Sequence, residues 1–318
     1  MTNFVKRVFG CVVVKAINSN YNADFSGQPR TLPSGTVYAT DKAFKYSCKN
    51  YIRTVYPEER VFYFKSLNAS MNPISLNECY QKFFGNFPNK GQGKNNRVKD
   101  NTVKKEVAKN LLSCIDVRLF GATFAGETNI SLHGPVQINH GVNIWSENNI
   151  YSEQITSPFS NKADDPDAEK GMTSIGRQSK LEEGHYLHHF SVNPQNLSDI
   201  VALVGEGAQS LNIEDIDKLK EAMRRGVTWY DSASKVGCEN EMLIWIQLKE
   251  GSKAVLPSLT GLVELLPQKE DGKYVYDLSK LSSKLDKMQD EIEKVEIYYE
   301  KESLSLKNAP QQTQEIDL

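Results

Sequence analysis

Lys42, Lys45 and Lys49 are spaced three and four apart in "TDKAFKYSCKNYIRTVY", and Arg53 extends the row. On a helix this spacing puts all four cations on one face. Such a row can track a phosphate backbone or form an ordinary solvated face. The other candidate chemistry is sparser. His185, His188 and His189 crowd into "HYLHH". Histidines three apart share a metal on a helix, but Tyr186, Phe190 and Val192 alternate as in a strand, which sends neighbours to opposite faces. "FPNKGQGKN" contains Gly-Gln-Gly-Lys. A phosphate-binding loop needs G-x-x-x-x-G-K-[ST], and here Pro88 stands for the first Gly and Asn95 for the Ser/Thr, so the segment reads as a basic loop. Asp24 lies in a long polar loop with no His beside it. A loop aspartate can assist cleavage through a 2′-hydroxyl, and more commonly caps a turn. Cys11, Cys48, Cys79, Cys114 and Cys238 are widely spaced with no C-x-x-C, which suits free thiols in or near the core. No nucleophile–base pair or paired carboxylates stand out, and neither a metal nor a cofactor is expected.

Charge points to a polyanion partner. The net charge is −2. Residues 1–125 hold 19 Lys and Arg against 8 Asp and Glu, a balance of +11, and residues 126–318 hold 19 against 32, a balance of −13. A basic half attracts nucleic acid. An acidic half argues against coating nucleic acid on all faces, and a protein that stacks on its own copies can use both. No apolar run approaches the roughly 20 residues of a membrane helix, so no membrane partner is expected. "MTNFVKRVFGCVVVKAI" has a basic flank but no small-residue cleavage site, and Lys15 interrupts its apolar run. It reads as a first strand, not a secretion signal, and a cytoplasmic location is expected.

The elements that must position these residues follow from periodicity and punctuation. "VFGCVVVKAI" reads as a buried strand and "NSNYNADFSGQPRTLPSG" as a long loop. A helix follows, capped by Thr40 or Asp41, with Ala43, Tyr46, Tyr51 and Ile52 in its inward stripe. Residues 68–111 look inserted, and from Lys82 to Lys109 they carry 8 basic and 2 acidic residues. Two strands are expected at about 113–120 and 129–138. The second leads into Gln137, Asn139, His140 and Gly141, a run of amides, an imidazole and a glycine. Residues 146–182 read as a polar excursion. "GHYLHHFSVNP" is a returning strand, "NIEDIDKLKEAMRRG" a helix capped by Asn212 and ended by Gly226, and "EMLIWIQLKEG" another strand. The order strand, helix, strand, strand, helix, strand is the βαββαβ topology of ferredoxin-like and RNA-recognition-motif folds, an α+β class with insertions after the first helix and the third strand. The stripe Leu278, Leu281, Leu285, Met288, Ile292 predicts a further helix packed on its own domain, and "NAPQQTQEIDL" a disordered end.

One stretch carries a family resemblance. "DVRLFGATFAGETNISLHGPVQINHGVN" closely resembles the signature of the family-7 Cas proteins, the repeated backbone subunit of type I CRISPR effector (Cascade) complexes, with a flavour closest to subtype I-B. Asp116 to Gly121 and Gly134 to Gln137 match its D-V-R-L-F-G and T-G-P-V-Q, with His133 in place of the usual Thr. Met172 to Gln178, "MTSIGRQ", resembles the family's T-M-G-R-K, and "NSNYNADFSGQPR" its N-terminal loop. The likeness runs over about residues 5–300. It implies a palm of RNA-recognition-motif type with a helical fingers insertion and a thumb hairpin. The palm would comprise 1–67, 112–140 and 184–304, the fingers 68–111, the thumb 141–183, and a flexible tail 305–318. Copies would stack as a helical filament along the guide RNA (crRNA), with the target DNA strand paired to it and other CRISPR effector subunits attached. The thumb would displace one base at regular intervals, with Met172 as the wedge. The RNA contacts implied are Asn18, Asn20 and Arg30 in the loop; Lys42, Lys45, Lys49 and Arg53 on the helix; Gln137, Asn139 and His140 at the strand end; and Met172, Arg177, Gln178 and Lys180 in the thumb. No aromatic pair in "IDVRLFGATF" must face outward, so backbone contacts are expected in place of base stacking. The protein would be a non-catalytic scaffold. Its rivals are an RNA endonuclease using Asp24 and a general single-stranded RNA binder.

Overall fold

A computed structural model describes residues 2–88, 96–160 and 172–318. Strand β1 (Val8–Ser19) is central to the main sheet. Its even-numbered Val8, Val12, Val14 and Ala16 pack into one core and its odd-numbered Phe9, Cys11 and Val13 into another, as the two-residue period of a strand requires when both faces are covered. A short β2 (Tyr38–Ala39) precedes helix α1 (Asp41–Val55), whose N-cap Thr40 accepts the Ala43 N–H at 3.3 Å. Helices α2 (Leu76–Phe84), α3 (Asn96–Leu112) and α4 (Ile115–Phe120) follow, then strands β3 (Gly121–Ala125), β4 (Asn129–His133), β5 (Val136–Ile138) and β6 (Gly141–Asn143). Strands β7 (Ile150–Ser160) and β8 (Met172–Val192) come next, then helices α5 (Gln195–Val204) and α6 (Ile213–Trp229) and strand β9 (Cys238–Leu248). The chain ends with β10 (Glu264–Leu265), β11 (Tyr274–Asp277), α7 (Ser279–Asp286), β12 (Ile292–Tyr299), β13 (Leu304–Lys307) and β14 (Thr313–Ile316).

The described residues form a nine-stranded sheet in the order β14-β12-β9-β1-β8-β6-β2, with β5 and β7 also paired to β8. Helices α1 and α6 pack on one face, through Phe44, Cys48, Tyr51 and Ile52 from one and Ile216, Leu219, Ala222 and Met223 from the other. The other face is covered by Leu259, Tyr276, Leu281 and Leu304 of the C-terminal segments. A third core lies apart, built from Phe62, Tyr80, Val107, Leu111, Phe124, Leu132 and Leu197. It gathers α2, α3, α4, α5 and the separate two-stranded β3–β4 sheet.

Four expectations change. The segment expected as a strand at 113–120 is mostly helix α4. Ile115, Val117 and Leu119 alternate with Asp116 and Arg118 as in a half-buried strand, but all five residues are buried, because the charged pair finds partners inside. In consequence only β5 of the 112–140 stretch joins the large sheet. The inward stripe of α1 is Phe44, Ser47, Cys48, Tyr51 and Ile52, so Ala43 and Tyr46 turn elsewhere. Gly226 does not end α6. The helix runs on to Trp229, and a Cβ on Gly226 would lie 3.0 Å from the Ser47 carbonyl, so the glycine allows close packing on α1. The end of the chain is not disordered. β13 pairs in parallel with β11 and β14 with β12, and the Tyr299 hydroxyl donates to Glu315 at 2.6 Å.

The D-V-R-L-F-G and G-P-V-Q residues are a junction between cores. The Asp116 carboxylate accepts the Phe62 and Tyr63 N–H groups, both at 2.8 Å. The Arg118 guanidinium meets Asp215 in a bidentate pair at 2.8 and 2.7 Å, and donates to the Leu112 carbonyl and the Gln209 side chain. Asp215 in turn closes the capping box of α6 with Asn212. Gly121 sits at φ +79, and a Cβ there would lie 2.2 Å from the Leu132 carbonyl, while one on Gly134 would lie 2.1 Å from Phe120. The two glycines therefore lie backbone against backbone, a contact closed to any other residue.

A second tight junction lies where β8 passes beneath Asn139 and Gly141. His188 is fully buried; its Nδ1 donates to the Asn139 carbonyl at 2.9 Å, and its Nε2 accepts from the Tyr21 hydroxyl at 3.3 Å. The ring stacks on Phe44, and a Cβ on Gly141 would be 2.3 Å from Nε2. Burial brings the imidazole pKa down to about 4.

Two outcomes are expected. Arg118→Leu leaves the Asp215 carboxylate uncompensated in the core and should cost about 3–5 kcal/mol in urea unfolding; a loss below about 1 kcal/mol would refute the tie. His188 holds its proton less tightly folded, near 4, than unfolded, near 6.5. Its contribution is therefore complete above pH 6.5 and lost as pH falls towards 4. Between pH 7.5 and 4.5 the wild type should lose about 2 kcal/mol more than His188→Gln, and parallel losses in the two proteins would contradict this.

Candidate nucleic-acid interface

The basic row of α1 is not one solvated face. The Lys42 side chain is 84% exposed. Lys45 bonds Asp41 at 3.1 Å and its side chain is only 17% exposed. Lys49 turns inward, donating to the Tyr63 carbonyl at 2.9 Å, and burial lowers its pKa. The Arg53 guanidinium lies 4.7 Å above the Phe64 ring. Spacing put the four on one side of the helix, but the segment after α1 folds back over half of that side and draws Lys49 and Arg53 onto itself.

The loop after β1 joins the remaining pieces. Asn20 is 2% exposed, and its amide nitrogen donates to the Gly27 carbonyl and to the Ser179 carbonyl of β8, both at 3.1 Å. Its side chain is therefore a strut between the loop and β8. The Tyr21 hydroxyl reaches His188. The Asn22 Oδ1 accepts the Thr40 N–H at 2.9 Å and its hydroxyl at 3.0 Å, fixing the start of α1. Three successive residues thus reach β8 at Ser179, β8 again at His188, and the start of the basic helix. Tyr21 and Asn22 were missed in the sequence, where an Asn-rich loop shows no preferred partner. Asn18 is exposed at φ 47 with its Oδ1 accepting from Tyr151 at 3.1 Å, and the Arg30 Nε donates to the Ala23 carbonyl at 3.1 Å.

Asp24 is committed to its own turn. One carboxylate oxygen accepts from the Ser26 N–H and hydroxyl, both at 2.8 Å, and from the Gln28 N–H at 3.0 Å. The Ser26 hydrogen bond leads the causes that lower its pKa. The same five-residue turn recurs at Asn68, whose Oδ1 accepts the Ser70 and Asn72 N–H groups at 3.0 Å.

At the strand end, Gln137 is exposed and donates to the Gly134 carbonyl at 2.8 Å, and Asn139 accepts the His189 N–H at 2.7 Å. The exposed His140 ring lies beside Tyr38, with its Nδ1 3.7 Å from Asp41. Strands β7 and β8 form a hairpin arm on which Arg177 is exposed, Gln178 donates to the Ala233 carbonyl at 2.8 Å, and Lys180 lies 3.9 Å from Glu153. The Met172 side chain and the Gly-Gln-Gly-Lys segment lie outside the described residues. His185 faces away from this surface and bonds Glu241 at 2.6 Å. Among the described residues no three His, Cys, Asp or Glu side chains converge on a metal position, and no helix is long and apolar enough to cross a membrane.

The surface thus combines a tethered loop, the largely exposed Lys42 beside Asp41, a strand end rich in amides and a polar arm. It offers backbone groups, amides and cations to an extended polyanion. Among solved structures, one titled "CRISPR RNA-guided surveillance complex, pre-nicking" is similar in fold, with a TM-score of 0.55 at 12% identity, covering 98% of this chain and 96% of that one. A second, titled "CRISPR RNA-guided surveillance complex", aligns at a TM-score of 0.45 and 11% identity over 94% of this chain and 95% of that one. No curated protein matches the chain in sequence. The family model "CRISPR-associated protein Cas7" matches residues 6–295, and the chain belongs to that family.

Proposed function

We propose that this chain is the guide-RNA-binding backbone subunit of a type I CRISPR effector complex, of subtype I-B. The observation that carries this reading is the family match over residues 6–295, which takes in the whole surface described above. The chain holds crRNA, stacks with copies of itself, and meets the paired target DNA strand and the other effector subunits. The strand order β9-β1-β8-β6, with α1 and α6 on one face, supports a palm of RNA-recognition-motif type. The β7–β8 hairpin supports the thumb at 141–183. The third core, which adds Phe62, Phe124, Leu132 and Leu197 to residues of 68–111, supports a fingers unit larger than 68–111. The second sheet face lies beneath the C-terminal layer, which closes the platform on which such a motif would stack bases. RNA is therefore held through its backbone, in keeping with a guide of variable sequence. Lys42 and Arg177, both exposed, carry phosphate contacts, with Arg30, Gln137 and His140 beside them. The subunit is non-catalytic, a reading supported by the three hydrogen bonds that hold one oxygen of the Asp24 carboxylate in its own turn.

Co-expression with a guide RNA should yield a multi-copy particle whose RNA is protected from nuclease at regular intervals; an RNA-free monomer would refute the assignment. Lys42→Ala should flatten the dependence of log affinity on log salt by about 0.7 at unchanged Tm. Lys49→Ala should instead lower Tm and leave that slope alone. The assembled complex should leave complementary RNA intact, and cleavage abolished by Asp24→Ala would favour the endonuclease reading.

A further inference from the structure

The segment that draws Lys49 inward and carries Phe64 beneath the exposed Arg53 builds a groove with α1. Its volume is about 290 Å³, and Tyr46, Phe64, Lys65, Ser66 and Ile74 are among its walls. Tyr46 was expected inside the main core. It instead stacks on Phe64 with centroids 4.8 Å apart and planes 18° from parallel, and meets the edge of Tyr230 at 5.2 Å. Arg53 covers Phe64 at 4.7 Å. Lys65 is exposed, and the Lys82 Nζ donates to the Ser66 hydroxyl at 3.3 Å on the far wall. None of the lining residues is acidic. The nearby Glu78 carboxylate is turned onto the Ser75 N–H, which it accepts at 2.7 Å as part of the α2 cap.

An aromatic wall, hydroxyls and a cationic rim without a carboxylate form a combination suited to a base with its phosphate. An apolar peptide would not need the cations, and an acidic one would not need the stacked rings. We propose that this groove holds one unpaired nucleobase of the RNA that the chain binds, with the base against the Tyr46–Phe64 wall and its phosphate between Lys65 and Arg53. The inference rests on the RNA-binding reading and adds a subsite to it. The closed second sheet face leaves no platform there. The groove supplies a small one beside the exposed start of α1, at the root of the third core.

The test uses the full chain with single-stranded RNA carrying 5-iodouridine. Photocrosslinks mapped by mass spectrometry should fall on the peptides holding Tyr46 or Phe64. Phe64→Leu should weaken RNA binding about 5-fold or more, the loss of one base stack. Because Phe64 also packs against Tyr46, Lys65→Glu serves as a second variant on the exposed rim; it should lower the crosslink yield at unchanged Tm. RNA that binds normally while crosslinking only elsewhere, with both variants at wild-type affinity, would overturn the groove and leave the RNA-binding reading standing. A wild-type chain that binds no RNA would sink both.

Discussion

The buried pair between Arg118 and Asp215 ties the third core to the main sheet, beside Ile115 and Leu119 of the same helix, which pack into the main core. Arg118 belongs to a six-residue helix at the edge of the third core, and Asp215 to the first turn of the helix that packs on the main sheet. An ion pair in the interior offsets its desolvation only when geometry is good and the remaining hydrogen-bonding positions are filled. Here both carboxylate oxygens meet the guanidinium, and its Nη1 donates to the Leu112 carbonyl and the Gln209 side chain. Two residues earlier, Asp116 performs a related task for the backbone at Phe62 and Tyr63. Because that backbone leads into the aromatic groove, the same short helix fixes the distance between α1 and the groove's opposite wall. The glycine-to-glycine contact of Gly121 with Gly134 sets where the chain leaves this junction and re-enters the main sheet.

A second consequence of buried side-chain bonds is rigidity in the loop that follows β1. The polar loop after β1 is long, yet Asn20 and Tyr21 tie it to β8 at two points and Asn22 ties it to the start of α1. Side chains that look available in the sequence are spent in this tethering. What faces outward is a smaller set of groups on an ordered frame, the arrangement in which phosphate contacts position a strand without reading it. The recurrence of one turn at Asp24 and Asn68 fits the same logic, since an Asx side chain that satisfies two backbone N–H groups makes a loop stiff at little expense.

Covering both faces of β1 also decides how nucleic acid is met. An open antiparallel sheet offers one face to a ligand. Here Phe9, Cys11 and Val13 lie under the C-terminal layer, and the buried His185–Glu241–Tyr276 contacts pin that layer to the sheet. The exposed groups of the loop, the strand end and the arm therefore lie at the rim of the sheet and not on its face.

Local residue types were enough to determine the elements whose period and ends are chemically marked. The β-branched run at 8–17 reads as a strand buried on both faces, and Thr40 and Asn212 mark helix starts through the N–H groups they accept. The motif from Asp116 to Gln137 carried the family, although not its own conformation. Alternation of apolar and charged residues predicts a half-exposed strand, and only a distant Asp215 and a distant Phe62 backbone make it possible to bury the charges in a helix. The same holds for Lys49 and Asn20, whose burial depends on carbonyls 14 and 159 residues away. The C-terminal strands likewise exist because β11 and β12 offer open edges. Patterning within a turn or a strand is local and is written in the sequence; the desolvation of a charge and the pairing of a strand edge are settled by which distant groups arrive, and those only the tertiary structure decides.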